Sequence, residues 1–401
     1  MALFERLFER VKKQMKTALF FFVHPIVNIP PPINFGAHLG SRGFKVLLVG
    51  YKTNETSKIE SLPNGAKIFR IELKSRAFPI KPIARLLALV EYIWVAKQIL
   101  KKIKPHTVIT FNDPATIILK FCADISKKIA WLLEYPEKKY SGSIIFYVLM
   151  FSSRFWKYAD ALVFPSKERH VLGAKTRQNT IAKKTFIIHN TPILYQDKIG
   201  QVHSNVIAGL KFLKSNKQKG KVNVIYTGAV GNRYGLTDIV KAVGNLDGVS
   251  LLIVGKKHEL AVKEVGDAMA SVKHKSNLLF VDQVPYLQLQ LLFAHADIGH
   301  VYYYPDTLNT LFSAPGKMYE YLKGGLVILT DNNSCIKTDL ERYGCGIFYT
   351  PGDIKSLMSS LSLFSSNSNL LKQMKSQSKL LFKERYNLEN QVYPLVSYLE
   401  G

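Results

Sequence analysis

The hydrophobic positions of this chain fall into short continuous runs, separated by longer segments with helical periodicity. Such runs, apolar without alternation, are typical of strands covered on both faces. Strands that alternate with helices form parallel sheets, so the pattern predicts an α/β fold. The predicted strands are residues 19–23, 46–49, 107–111, 129–133, 161–164, 222–226, 250–254, 278–281, 298–301, 326–329 and 346–349.

The length of the chain predicts two domains, because 401 residues exceed what one compact core usually holds. We expect a first domain over residues 17–200 and a second over residues 222–385. Between them, residues 201–221 carry five lysines and no acidic residue, a composition typical of a solvated linker. A nucleic-acid-binding protein could also use such a run.

The first residues show a basic amphipathic pattern, which predicts a helix over residues 1–16. A helix of this kind lies in an anionic membrane interface. Alternatively, its apolar stripe packs against the domain that follows. The apolar positions are Leu3, Phe4, Leu7, Phe8, Val11 and Met15, and the basic positions are Arg6, Arg10, Lys12, Lys13 and Lys16.

A second segment, residues 144–158, also predicts a helix and is rich in aromatic side chains. We expect it to lie in the core of the first domain, with a membrane-facing patch as the alternative.

The charge balance is strongly basic, with 55 Lys and Arg against 29 Asp and Glu and a net charge of +26. Such a field attracts nucleic acid, an anionic bilayer or phosphorylated small molecules. No apolar run reaches the roughly 18 residues of a membrane-spanning helix, and the start lacks the layout of a signal peptide. The three cysteines have no disulfide or zinc spacing. We therefore expect a cytoplasmic protein that is peripheral on the inner face of the cell membrane.

Two acidic residues follow predicted strands of the first domain. Asp113 comes after the strand at 107–111, and Glu134 after the strand at 129–133. Ligands of open α/β sheets bind beyond the carboxyl ends of the strands, so both could hold or deprotonate a substrate hydroxyl. Both could instead be helix N-caps. The loop after the first strand, with prolines at 30–32, lacks G-x-G-x-x-G, which argues against NAD or FAD.

A glycine-containing turn opens the second domain. Residues 227–236 connect a predicted strand to a helix, and the small Gly228 would let a phosphate approach the backbone near the helix N-terminus. Arg233 could grip diphosphate oxygens with two hydrogen bonds. An exposed arginine in a surface loop is the alternative.

Residues 313–330 predict a short helix that runs directly into a buried strand. Ser313 is the expected N-cap, and Gly325 completes a left-handed stop. Lys317 and Glu320 are three residues apart, so they share a helix face near its positive end. This face would suit an anion and a diol. A surface ion pair is the alternative.

In this order, these segments resemble the GT-B glycosyltransferases, specifically the large retaining group of family 4 that includes glycogen synthase-like and bacterial polysaccharide enzymes. The resemblance covers nearly the whole chain and is clearest from Val222 to the end. It implies two Rossmann-like domains that face each other across a cleft, with residues 386–401 crossing back to the first domain. The segments are YTGAVGNRYGL, LLIVGKKHE, FVDQVPYLQLQLLFAHADIGHVYY, APGKMYEYLKGGLVI and ERYNLENQVYPLVSYLE.

The resemblance implies transfer of a sugar from a nucleotide-sugar, most often a UDP-sugar, to an acceptor hydroxyl. Glu320 would bind the ribose hydroxyls, while Lys317 and Arg233 would neutralise the diphosphate. The resemblance implies no metal ion or other cofactor, because cationic side chains and helix dipoles would neutralise the diphosphate instead. The implied donor-binding residues are Gly228, Arg233, Gly255, Gln283, Val284, Lys317 and Glu320.

The acceptor side departs from the family. Many members carry a catalytic-site histidine after a strand, where this chain has Asp113 and Glu134, and His24 is the nearest alternative. A further acidic residue of many members is replaced by Phe312. In retaining members the departing phosphate accepts the acceptor's proton, whereas an inverting reaction would need Asp113 or Glu134 as a base.

We therefore expect a transferase that builds a bacterial polysaccharide or a lipid-linked glycan on an acceptor held at an anionic membrane surface. An inverting transferase or a nucleotide-sugar epimerase on the same fold is the first alternative. A nucleic-acid-binding protein is a distant one, because the aromatic residues lie in apolar segments rather than between basic ones. An inactive scaffold is a further alternative, given Phe312.

Overall fold

The computed structural model describes residues 16–27, 29–135, 144–176, 184–192, 200–257, 259–333 and 335–401. The chain divides into two compact units. The first consists of Met1–His189 and Gln391–Gly401, and the second of Asn190–Asn390. The predicted amphipathic helix over 1–16 lies outside the described residues, apart from Lys16.

An eight-stranded sheet organises the first unit. Its order is β3-β4-β2-β1-β5-β6-β7-β8, and among the described strands β3 alone pairs in antiparallel fashion. The central β1 is buried from its second residue onward, as expected for a parallel sheet. The strands are β1 (Thr17–Phe22), β2 (Lys45–Tyr51), β3 (Ile59–Ser61), β4 (Lys67–Ile71), β5 (Thr107–Phe111), β6 (Lys127–Trp131), β7 (Ala161–Phe164) and β8 (Lys184–Ile187).

The helices of this unit are α1 (Pro30–Ser41), α2 (Lys81–Ile103), α3 (Asp113–Thr116), α4 (Ile144–Ser152) and α5 (Lys167–Thr176). The prediction of a loop at residues 30–32 was wrong, since the three prolines form the first turn of α1. Proline suits that turn because its missing N–H has no intrahelical partner there. Tyr92 attaches α2 to the sheet: its hydroxyl donates to the Val49 carbonyl at 2.7 Å and accepts from the Phe22 N–H at 3.1 Å.

A six-stranded, fully parallel sheet organises the second unit, in the order β11-β10-β9-β12-β13-β14. Its strands are β9 (Val222–Thr227), β10 (Val249–Val254), β11 (Leu278–Val281), β12 (Ile298–His300), β13 (Val327–Thr330) and β14 (Gly346–Phe348). The α/β prediction is confirmed. The helices are α6 (Ser204–Gln218), α7 (Leu236–Gly244), α8 (Glu259–Ala270), α9 (Leu289–Phe293), α10 (Leu308–Leu311), α11 (Gly316–Gly324), α12 (Lys337–Tyr343), α13 (Ile354–Ser366), α14 (Ser368–Leu381) and α15 (Leu388–Glu400), the last of which continues into the first unit.

Residues 201–221 differ from the predicted linker, because most of them form α6. Val206 and Leu213 of this helix are fully buried in the core of the second unit. The Nζ atom of Lys217 lies 2.8 Å from the carboxylate of buried Asp297, which Lys375 also reaches at 2.7 Å. At least one lysine of this segment, Lys217, therefore stabilises the fold of the second unit through an ion pair.

The aromatic segment 144–158 divides between core and surface. Trp156 is 2% exposed and belongs to the core of the first unit, as predicted. Tyr147 and Phe151, on α4, are 65% and 53% exposed. The core prediction therefore holds for Trp156 at the end of the segment and not for Tyr147 and Phe151 of α4.

Gly299 in β12 should be essential for packing of the second unit. A Cβ atom there would overlap the ring of buried Tyr321. We expect Gly299→Ala to lower the free energy of unfolding by about 2 kcal/mol, because an overpacked core must shift its side chains. The urea midpoint of unfolding measures this.

Gly266 in α8 provides the matched control, since a Cβ atom there would meet no atom within 4 Å. Gly266→Ala should leave stability unchanged or raise it by about 0.5 kcal/mol, through helix propensity. Equal urea midpoints for the two variants would contradict the packing argument.

Candidate active site

The loops that follow β9 and β10 approach each other closely at the carboxyl edge of the second sheet. Gly228 has a φ of +127°, and its N–H donates to the Val254 carbonyl at 3.0 Å. A Cβ atom on Gly255 would overlap the Gly228 carbonyl oxygen. Both positions therefore require glycine on structural grounds, and the two backbone segments come into direct contact at this edge.

Lys317 projects toward this edge from the first turn of α11. Its Nζ lies 4.1 Å from the centroid of the Tyr226 ring, 5.0 Å from that of Tyr303 and 5.7 Å from that of Tyr234. The same atom is 3.8 Å from the point where a Cβ on Gly228 would stand. The lysine thus occupies a cage of three tyrosine rings beside the glycine loop.

The ammonium group of Lys317 has no carboxylate within ion-pair distance in the part of the chain that the structure describes. Part of the Lys317 side chain reaches solvent. Burial by the surrounding protein lowers its pKa to about 7, an effect that outweighs the opposing effect of nearby Glu320, which raises the pKa. Cation–π contacts with the tyrosine rings stabilise the charged form only weakly. An anion bound here would supply the missing counter-charge.

Glu320 lies one turn further along α11, and its Oε1 accepts a hydrogen bond from the Tyr286 hydroxyl at 2.8 Å. Burial raises the pKa of Glu320, while the Tyr286 hydrogen bond and the charge of Lys323 lower it. Lys317 and Glu320 do not form an ion pair, which excludes the predicted structural alternative. The helix has no side-chain cap: Pro315, rather than the predicted Ser313, is its N-cap, and Gly325 supplies the predicted left-handed stop.

Arg233 is engaged by a carboxylate of its own unit. Its guanidinium pairs with Asp306, and its carbonyl accepts from the Tyr304 N–H at 2.8 Å. Half of its side chain stays exposed. A ligand phosphate would therefore have to compete with Asp306 or share the guanidinium with it.

Gln283 and Val284 follow β11 on a loop that Asp282 organises. Its carboxylate accepts from the N–H groups of Gln283 at 2.7 Å and Lys257 at 3.1 Å. These two donors lower the pKa of Asp282. The loops after β10 and β11 are thus joined, with Gln283 exposed and Val284 packed against the core.

Several tyrosines of this site were not identified from the sequence. The Tyr321 hydroxyl accepts from the Thr227 N–H at 2.9 Å, which holds the end of β9. Tyr226, Tyr234 and Tyr303 form the cage, and Tyr286 orients Glu320. Tyr226 near the end of β9 and Tyr303 after β12 could have been identified from their positions, but aromatic residues in or near strands usually indicate core packing. Phe312, which the sequence comparison with the resembled family places where many of its members carry an acid, follows α10 as its C-cap.

The candidate catalytic residues of the first unit have different surroundings. Asp113 is 2% exposed, and its Oδ1 accepts a hydrogen bond from Trp156 Nε1 at 2.6 Å. These contacts indicate a structural role for Asp113. Glu134 is exposed, and its N–H donates to Asn112 Oδ1 at 3.2 Å. Nδ1 of His24 accepts from the Ile26 N–H at 3.3 Å.

Among the described residues, no group of three or more His, Cys, Asp or Glu side chains could hold a metal ion. Nor does any described helix combine the length and apolar character needed to cross a membrane.

No protein-family model and no curated protein matches this sequence. Several solved structures, in contrast, are similar to this chain. Sucrose-phosphate synthase from Thermosynechococcus elongatus is 14% identical, with a TM-score of 0.71 over 96% of this chain and 98% of that one. WaaG, a glycosyltransferase involved in lipopolysaccharide biosynthesis, is 15% identical, with a TM-score of 0.66 over 96% of this chain and 100% of that one. Anabaena HepE in complex with UDP-glucose is 12% identical, with a TM-score of 0.68 over 96% and 99%. The predicted GT-B fold is thereby confirmed.

Replacing Lys317 by methionine should stabilise the ligand-free protein near neutral pH. The folded pKa of about 7 lies below the ordinary value of 10.5, so the unfolded state binds more protons between these values. Wild-type stability should therefore rise with pH from about 7 to about 10, relative to Lys317→Met. At pH 7 we expect the variant to be about 1 kcal/mol more stable, measured by urea unfolding across this pH range.

Lys211→Met is the matched control, because Lys211 is exposed on α6. It should change neither the stability nor its pH dependence. A Lys317→Met variant with the wild-type pH slope would show that the lysine is not buried as described.

Proposed function

We propose that this chain is a glycosyltransferase that moves a sugar from a UDP-linked nucleotide-sugar to an acceptor hydroxyl, with retention and without a metal. The acceptor belongs to the synthesis of a bacterial polysaccharide or a lipid-linked glycan. The fold shared with WaaG and with the UDP-glucose complex of HepE supports this proposal.

The observation that carries the proposal is the uncompensated cation beside two glycine loops. Lys317 stands at the first turn of α11, where the helix dipole also favours negative charge. A diphosphate placed there would contact Lys317 without meeting a side chain from Gly228. Since negative charge builds on the diphosphate as the sugar departs, the same groups would stabilise the transition state.

Glu320 would accept hydrogen bonds from the ribose hydroxyls of the donor. Its hydrogen bond from Tyr286 fixes the carboxylate, so that little reorganisation is needed on binding. The loop of Gln283 and Val284 would lie along the base, and Arg233 would add charge to the diphosphate beside Asp306.

Retention is favoured over inversion by the environment of Asp113. An inverting enzyme needs an accessible carboxylate base, and Asp113 is buried with its oxygen on Trp156. Glu134 is exposed and remains the candidate base of the alternative, an inverting transferase or an epimerase. His24 is proposed as an acceptor-side residue. A nucleic-acid-binding protein or an inactive scaffold would not need the Lys317 and Glu320 arrangement.

The partners that we propose are the nucleotide-sugar, a glycan or lipid-linked acceptor, and an anionic membrane surface. The net charge of +26 supports the last of these. The protein would then work in the cytoplasm, on the inner face of the cell membrane.

Glu320→Ala should reduce kcat/KM for sugar transfer on the order of a hundredfold, because two charge-assisted hydrogen bonds to the ribose are lost. A panel of nucleotide-sugars, scored by transfer or hydrolysis, first identifies the donor. NMR of the product then gives its anomeric configuration, which we expect to match that of the donor.

Glu341→Ala is the control, since Glu341 is exposed on α12 and, among the described residues, forms an ion pair with Lys337 alone. It should keep full activity. Full activity of Glu320→Ala would refute the donor site, and an inverted product would establish the inverting alternative.

Binding of UDP-glucose should take up roughly half a proton at pH 7, because a diphosphate beside Lys317 raises a pKa that starts at about 7. The affinity should consequently fall with rising pH above 7, by up to about tenfold per pH unit. Calorimetry in two buffers that differ in ionisation enthalpy measures the uptake.

Lys317→Gln should abolish this proton uptake, whereas Lys211→Gln should keep it. UDP-glucose itself carries no group that titrates near pH 7, so an uptake that persists in Lys317→Gln would assign the proton to another residue and contradict the proposal.

A further inference from the structure

The sheet of the first unit has a topological switch point between β1 and β5. From β1 the chain proceeds to β2 and β4 on one side, whereas from β5 it proceeds to β6, β7 and β8 on the other side. Open α/β sheets bind their ligands in the crevice at such a point, beyond the carboxyl ends of the two strands. Asn112 directly follows β5, and His24 stands two residues after β1.

Backbone strain is concentrated at this switch point. Ile26 has a φ of +54°, and Asn112 has a φ of +61° with a ψ of 163°. A β-branched residue rarely adopts a positive φ, and the angles of Asn112 are almost confined to glycine. Asn64 and Lys104, the other described non-glycine residues with positive φ, have ordinary left-handed angles in a turn and at the C-cap of α2. Strain that persists in a folded protein is concentrated at functional sites.

Buried Arg70 holds the strained turn after β1. Its Nε donates to the Pro25 carbonyl at 2.7 Å, and its Nη2 donates to the Ile26 carbonyl at 3.0 Å. The carboxylate of Glu60 supplies the counter-charge at 2.6 Å from the same Nη2. A buried guanidinium is costly unless its donors are satisfied, and this one directs two of them to consecutive carbonyls of a single turn. The arginine therefore fixes the path of the chain after β1.

The same turn determines which nitrogen of the His24 ring carries a proton. His24 is exposed overall, but partial desolvation of its ring lowers its pKa, so the imidazole is neutral at neutral pH. Its Nδ1 accepts a hydrogen bond from the Ile26 N–H at 3.3 Å. A neutral imidazole carries one proton, so this bond places the proton on Nε2. Among the described residues no hydrogen bond engages Nε2, which is left as a donor to a ligand.

The backbone of His24 is held from the neighbouring strand as well. Its carbonyl accepts from the Tyr51 N–H at 3.2 Å, at the end of β2. A Cβ atom on Gly50 would overlap this carbonyl oxygen and the side chain of Ile26. Glycine at position 50 therefore allows the turn to lie directly against β2.

We propose that Arg70 is a positioning residue, which holds His24 as an Nε2–H donor to an oxygen of a hydroxylated ligand at the β1–β5 switch point. The identification of this ligand as the acceptor rests on the proposed function. A ring whose Nε2 is already protonated cannot take a proton there, so His24 orients the acceptor oxygen and is not the base of an inverting reaction.

NMR of the protein with ¹⁵N-labelled histidine rings measures the tautomer directly. At about pH 8, above the ordinary histidine value, we expect the His24 ring in the Nε2–H form. Its signals are assigned by their loss in His24→Gln. His203 is an internal standard for this tautomer, because its Nδ1 accepts from the Asn205 N–H at 3.2 Å. An Nδ1–H form of His24 would overturn the proposal.

Arg70→Lys keeps the charge but loses the fork of donors, so the turn should relax and the Nδ1–H form of His24 should appear. Gly50→Ala should have the same effect with every charge intact, since its Cβ would displace the His24 carbonyl. Gly266→Ala, where a Cβ meets no atom within 4 Å, is the control and should leave the tautomer unchanged. The His203 signals should stay constant throughout. A wild-type His24 tautomer in folded Arg70→Lys would refute the positioning role, and the same result in Gly50→Ala would refute the role of the turn.

Hydrolysis of the nucleotide-sugar, with water in the place of the acceptor, separates a donor from a base. Glutamine keeps a neutral N–H donor about where Nε2 stands, leucine has none, and neither side chain can take a proton. His24→Gln should therefore be roughly tenfold more active than His24→Leu, the size of one hydrogen bond. Equal activities of the two variants would contradict the donor role. Both should bind UDP with the wild-type affinity, because the proposed UDP contacts lie in the second unit.

The NMR measurements need no nucleotide-sugar, so the two proposals can fail separately. An Nδ1–H form of His24 in an active transferase would remove this inference alone. The Nε2–H form, lost in Arg70→Lys, in a protein that neither transfers nor hydrolyses a nucleotide-sugar would remove the transferase and keep the positioning of His24 by Arg70.

Discussion

The candidate site of the second unit depends on a cation that the protein holds without a carboxylate partner among the described residues. Lys317 is surrounded by three tyrosine rings, and its lowered pKa shows that the surroundings disfavour the charge. A fold selected for stability alone would place an acid beside it or an apolar residue in its stead. Holding the lysine in this state prepares the site for a ligand that carries the missing charge.

The glycine loops make this arrangement possible. Because Gly255 packs against the Gly228 carbonyl, the backbones at the ends of β9 and β10 meet beside Lys317. The Tyr321 hydroxyl holds the end of β9 by accepting a hydrogen bond from the Thr227 N–H. The site is therefore built mainly from backbone and from rigid aromatic side chains, which lose little entropy when a ligand binds.

The sequence predicted what depends on local pattern. Buried strands, the left-handed helix stop at Gly325, and the shared helix face of Lys317 and Glu320 all follow from spacing and backbone preference. It did not predict contacts between distant segments, such as Arg233 with Asp306 or Asp113 with Trp156. Composition also misled at α6, where lysines on a helix flank resemble a linker.

The strongly basic composition is easier to interpret once the ion-pair partners of individual basic side chains are known. Lys217 and Lys375 neutralise buried Asp297, so part of the charge serves the fold. Lys317 lacks such a partner among the described residues, and it stands at the carboxyl edge of the second sheet, beside Gly228. Since unpaired charge in a partly buried place costs stability, its position at this edge indicates an anionic ligand for the second unit.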